Sequence, residues 1–241
     1  MGAHYDRALL LYERCRYDLA EGELRQELAE SPDHALTHSM IGLCRLNVDD
    51  FPGALDWAVR AVGLAPDMAY THYALSIALG RLGRPDDAHQ AIREAIRNDP
   101  TRAVYFFQEA CVESDRCRHR EALAAAERGM AADAGHADCA AIRALALARL
   151  GRRAEAERAI EAAIALEPES DFVHAAEGWK QIAQGHKGRA HNHFREALRI
   201  NPLNRWAKDG LSASTWQDFA FVILLLVCDG AILAILACYR S

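Results

Sequence analysis

The sequence predicts an all-α solenoid of six helix-turn-helix repeats, followed by a capping helix and one long apolar C-terminal helix. Three observations carry that prediction. A unit of 34 residues can be laid down six times without a gap from residue 1 to residue 204. Pro32, Pro66, Pro100, Pro168 and Pro202 fall on that ruler at whole multiples of the period. Small residues recur at the eighth, twentieth and twenty-seventh places of the units. Repetition at such a period fixes the architecture ahead of any local reading, because each unit buries its apolar face only against its neighbours.

The units are 1–34, 35–68, 69–102, 103–136, 137–170 and 171–204, and the third shows the grammar best. Leu75, Ala78, Leu79 and Leu82 recur at helical spacing, then Gly83 and Pro85 supply a stop and a start. Ala88, Ala91, Ile92, Ala95 and Ile96 form a second stripe that ends at Asp99-Pro100. Helices this short are marginal alone in water, so stacking must hold them. The twentieth place is Ala20, Ala54, Ala88, Ala122, Ala156 and Ala190. The twenty-seventh is Ala61, Ala95, Gly129, Ala163 and Ala197, with Glu27 the exception. At the eighth stand Ala8, Gly42, Ser76, Ala110, Ala144 and Gly178. Small side chains at fixed places let helix axes approach closely.

This pattern resembles the tetratricopeptide repeat family over residues 1–204. The fourth unit departs from it, with Ala134 in place of proline and Cys117 in place of the turn glycine, and a local bend is expected there. The resemblance implies that first helices line a concave groove through the second, fifth, ninth and twelfth places. Those places hold Tyr5, Leu9, Tyr12, Leu43, Leu46, Tyr70, Tyr73, Ile77, Val104, Phe107, Cys111, Phe172, Trp179 and Ile182. The implied groove is apolar and aromatic, with Tyr73, Phe107 and Trp179 its more exposed members. The basic residues with which some family members clamp a C-terminal carboxylate are missing at these places. The expected partner is instead a protein or peptide offering an amphipathic helix or apolar segment. The alternative is a self-assembling homo-oligomer without a separate client.

Residues 205–217 continue the register, with Leu211 and Ser212 where Leu75 and Ser76 fall in the third unit, and are expected to cap the array. Residues 218–241 read as a transmembrane tail anchor: 219–238 are apolar on every face, long enough at about 1.5 Å per residue to cross a bilayer core of about 30 Å. Trp216 and Tyr239 flank the run. Within it Asp229 is costly unless neutralised or paired, and Gly230, Ala234 and Cys238 make a small-residue face suited to helix contact. The expectation is therefore a single-pass membrane protein with its repeats on the cytoplasmic side, and no signal peptide at the N-terminus.

Net charge is -6 with mixed signs and no basic stripe, which argues against nucleic acid as a partner. Only Lys180, Lys187 and Lys208 are lysine, a bias towards arginine that points to GC-rich bacterial coding. Seven cysteines at irregular spacing, without a C-x-x-C pair, read as free thiols. His4, His38, His72 and His174 share the fourth place of their units and read as packing residues. His186, His191 and His193 lack the geometry of a zinc site. No nucleophile elbow, phosphate loop or acid-base pair is present, so neither a cofactor nor an enzymatic activity is expected.

Overall fold

The computed structural model describes residues 2–214. Twelve helices pair into six antiparallel hairpins: α1 Ala3–Glu13 with α2 Tyr17–Glu30, α3 Ala35–Asn47 with α4 Phe51–Leu64, and α5 Ala69–Arg81 with α6 Pro85–Asn98. The series continues with α7 Ala103–Asp115 and α8 His119–Ala132, α9 Ala137–Arg149 and α10 Arg153–Leu166, then α11 Asp171–Ala183 and α12 Lys187–Ile200. A further helical run, α13, occupies 205–214. Each hairpin packs on the next, and the first helices of successive hairpins form the inner layer.

The hairpin turn is built the same way six times. Each first helix ends before one residue in the left-handed region: Cys15 (φ 56°), Asp49 (62°), Gly83 (70°), Cys117 (58°), Gly151 (77°) and Gly185 (85°). These lie 34 residues apart. The following N–H then reaches back to an orphan carbonyl of the helix, as from Arg16 to Leu11 (2.9 Å), Arg118 to Glu113 (2.8 Å) and His186 to Gln181 (2.8 Å). That is the Schellman closure. The fourth hairpin makes the same turn as the others, so no bend arises at Cys117.

Small residues sit where the axes close. The alanines at the twentieth place are all fully buried, as are Ala8, Ser76, Ala110 and Ala144 at the eighth. A Cβ on Gly178 would stand 2.5 Å from the ring of the fully buried Phe194, and one on Gly210 of α13 would stand 2.3 Å from it. Two backbones thus close on the same ring, which seats α13 on the last hairpin. Glu27, the exception at its place, is buried and accepts a hydrogen bond from the Tyr5 N–H (3.3 Å). Three of the four histidines of the fourth place tie neighbouring units together, while His4 pairs with Glu23 inside its own unit. His38, His72 and His174 each donate Nε2–H to the carbonyl of the proline six residues before, at 2.8, 2.7 and 3.0 Å.

The expected placement as a single-pass membrane protein, repeats facing the cytoplasm, is corrected by the helix lengths. Among the described residues no helix is long and apolar enough to cross a membrane. The longest have 14 residues, about 21 Å of rise against about 30 Å of hydrocarbon. Residues 218–241, with Asp229, Gly230, Ala234 and Cys238, lie outside the described residues, as does Trp216.

The array curls enough for its last helix to meet its second hairpin. Arg205 Nη1 lies 2.9 Å from Asp49 Oδ1, across 156 positions of chain. Both the Arg205 and the Arg81 guanidinium stand over the Phe51 ring, 5.1 and 5.2 Å from its centre. The start of α13 therefore touches the turn of the second hairpin.

Candidate peptide-binding groove

First helices present their inner faces along the curl, and rings dominate them. One run joins Tyr70 to Tyr73, backed by the buried Tyr105, with centroids 5.6 and 5.5 Å apart. Another begins at Phe107, edge-on to Phe172 at 4.9 Å; Phe172 stacks on Trp206 at 5.0 Å, and Trp206 on Trp179 at 6.2 Å. The Trp179 indole N–H donates to the Trp206 carbonyl (3.3 Å), so α13 extends the wall begun by α7 and α11. Tyr12 meets Tyr17 edge-on at 5.1 Å, and its hydroxyl accepts from the Asn47 amide (3.0 Å).

The residues named from sequence divide into two groups. Tyr12, Tyr70, Tyr73, Ile77, Phe107, Cys111, Phe172 and Trp179 are all half-buried, with part of each surface left open along the inner face. Tyr5 is only 4% exposed, packed in the core with its ring edge-on to His34 at 5.7 Å, and offers a partner almost nothing. Ile77 leans on the core of the first hairpins.

The wall is electrically quiet where the rings lie. Burial pushes the Tyr12 phenol up to about 12, and burial first, then neighbouring phenols, holds Tyr70 and Tyr73 above the ordinary tyrosine range. The Cys111 thiol is also held up by burial. These groups stay neutral at ordinary pH and act by shape and ring electrostatics rather than by charge.

Two inner-face residues escape the sequence reading. Trp206 completes the second aromatic run, and Asp138 puts a half-buried carboxyl at the start of α9. Both fall at the second place of a unit, the fifth for Asp138 and an incomplete seventh for Trp206, so the same ruler that found Tyr70 and Phe172 marks them. Burial lifts the Asp138 carboxyl from 3.8 to about 6; Glu167 and Asp171 reinforce the shift, and a hydrogen bond from Ser170 opposes it.

Residues 5–69 and 73–108 match the family model for the tetratricopeptide repeat. Over those residues the chain is similar to the tetratricopeptide repeat family. Among solved structures it is similar to the anaphase-promoting-complex hetero-tetramer Cut9–Hcn1, with TM-score 0.69 and 14% identity. That likeness covers 88% of this chain but 42% of the other, so the chain spans less than half the length of that relative. It is also similar to PilW, a type IV pilus biogenesis factor, with TM-score 0.65, 15% identity and coverage of 86% and 96%. A third likeness is to TTC0263 of Thermus thermophilus, with TM-score 0.64, 18% identity and coverage of 76% and 99%. At these identities the likenesses show the tetratricopeptide fold alone. No curated protein matches the sequence. Among the described residues no three of histidine, cysteine, aspartate and glutamate gather as a metal site.

Proposed function

We propose that the chain is a protein-binding scaffold whose inner groove holds an apolar or amphipathic segment of a partner. The observation that supports it most is the paired aromatic runs, Tyr70–Tyr73–Tyr105 and Phe107–Phe172–Trp206–Trp179. Half-buried rings fixed by their neighbours lose little entropy when a partner covers them, and such rings anchor interfaces. They are held by packing on rigid helices, so the surface exists before the partner arrives. A core role for all of them does not fit: Tyr105 is buried, but Tyr70, Tyr73, Phe107, Phe172, Trp179 and Trp206 are each left partly uncovered while alanines fill the space between helices.

Panning a displayed library of random 16-residue peptides on the immobilised full chain tests this reading. Wild type is expected to recover peptides above background, and the Tyr73→Ala, Phe107→Ala double variant to lose them. Each anchor is worth about 2 kcal/mol, or about 30-fold in affinity. Circular dichroism and the melting temperature confirm that the variant keeps its helices. Equal recovery by a folded double variant removes the groove as the binding surface.

A further inference from the structure

The lumen inside the coil is narrow, and its width decides the shape of partner that it admits. Phe107 of α7 and Phe172 of α11 meet edge-on at 4.9 Å although α9 packs between their helices. Both rings lie on the cluster that holds Leu145 of α9, and Tyr12 and Tyr70 lie likewise on the one that holds Leu43 and Leu46 of α3. Most inner places of these two helices are closed over in this way: Ala141, Leu145, Ala148, Leu43 and Leu46 are all buried. What stays open is a slot lined by the half-buried Tyr12, Tyr70, Tyr73, Phe107, Phe172 and Trp179.

Curvature gives the same answer. Arg205 at the start of α13 reaches Asp49, just past α3, so the five first helices from α3 to α11 complete one circuit. Five or six helices about 8–10 Å apart close on a circle of about 8–9 Å radius. Their own radius, about 5–6 Å with side chains, leaves a clear width of about 5–7 Å. An α-helix needs about 10–12 Å, whereas an extended chain is about 5 Å thick across its narrow side. Charge narrows the choice further. No lysine or arginine stands at a second, fifth, ninth or twelfth place, and the one acid there, Asp138, is half-buried and hydrogen-bonded by Ser170. An ionic side chain brought into this slot would shed water without meeting a counter-charge.

We propose that the lumen takes an extended, uncharged apolar segment of the partner, lying along the coil axis, and shuts out an amphipathic helix. This deepens the groove reading above and rests on it. Side chains of an extended segment point alternately to opposite sides, so both sets meet rings, and none is left facing water as the polar stripe of an amphipathic helix requires.

One peptide recovered by panning the full chain supplies the test. Labelled with carbon-13 and bound to the wild-type chain, it is expected to show the Cα and Cβ shifts of extended backbone throughout its apolar stretch. A hydrocarbon staple between residues i and i+4 of that stretch, which locks a helix, should weaken binding about tenfold or more. A lysine or a glutamate placed at the centre of the stretch should each weaken it about tenfold. Helical shifts, a stapled peptide that binds as well as its parent, or a central charge that costs nothing overturns the proposal, and the groove stands so long as Tyr73 and Phe107 are still needed. No recovery by wild type, or recovery that ignores the loss of Tyr73 and Phe107 in the folded double variant, overturns both.

Discussion

Asp138 has a consequence for the free protein that needs no partner. Its carboxyl binds a proton more tightly in the fold, at about 6, than in the unfolded chain, at 3.8. Burial is the main cause, Glu167 and Asp171 push the same way, and a hydrogen bond from Ser170 pushes against them. Native protein therefore holds more protons than unfolded protein between those values, and stability falls as pH rises through them. Asp138→Asn should be more stable than wild type at pH 7, by about 2–3 kcal/mol at most, with the difference gone near pH 4. Denaturant midpoints at the two pH values read this directly, and parallel profiles would refute it. A second buried group, by contrast, is paired within the fold. Lys180 is 0% exposed, with its Nζ 2.6 Å from Glu157 and 2.9 Å from Glu177. Glu177→Ala strands that ammonium beside a half-exposed Glu157 and should cost about 3 kcal/mol or more, most of it regained by pairing the change with Lys180→Met.

Helices and turns are the part of the molecule most legible in the sequence, because each is dictated within one unit. Gly83, Gly151 and Gly185 announce a left-handed turn, and counting 34 places shows that Cys15, Asp49 and Cys117 must make it too. A cysteine there carries the steric penalty of that conformation, roughly 1–2 kcal/mol, part of which glycine returns as entropy in the unfolded chain. Cys117→Gly should therefore stabilise the protein by about 1 kcal/mol, seen as a higher melting temperature; no gain would mean that the turn is not strained. The eighth-place glycine of the last unit has the reverse sensitivity. Gly178→Ala drives a methyl into the Phe194 ring, against which Gly210 also packs, and should cost about 1–3 kcal/mol. Less legible are the residues whose role depends on neighbouring elements. Lys180 looks like any charged surface residue until Glu157 of the preceding hairpin is brought to it. Asp138 stays hidden because a search for rings passes over the one inner place that holds an acid.

At the scale of the molecule, the curvature cannot be read from residues at all. It accumulates from a small rotation at each of the hairpin contacts, and no single unit encodes it. Its product is the meeting of Arg205 with Asp49. With 47% and 67% of their side chains exposed, the pair is worth about 0.5–1 kcal/mol and is open to screening by salt. Small-angle scattering should show the radius of gyration growing between about 0.1 M and about 1 M salt, and growing at low salt in Asp49→Ala. A radius indifferent to both would show that packing alone sets the curl.

That meeting point also governs traffic. On the groove reading, a segment lying along the inner rings while α13 rests on the second turn would be girdled by the coil, and opening that contact would ease its release. Its dwell time would then follow the strength of one solvent-washed ion pair some distance from any atom it touches. Ionic strength would hasten arrival and departure together, moving both rates further than it moves the equilibrium between them.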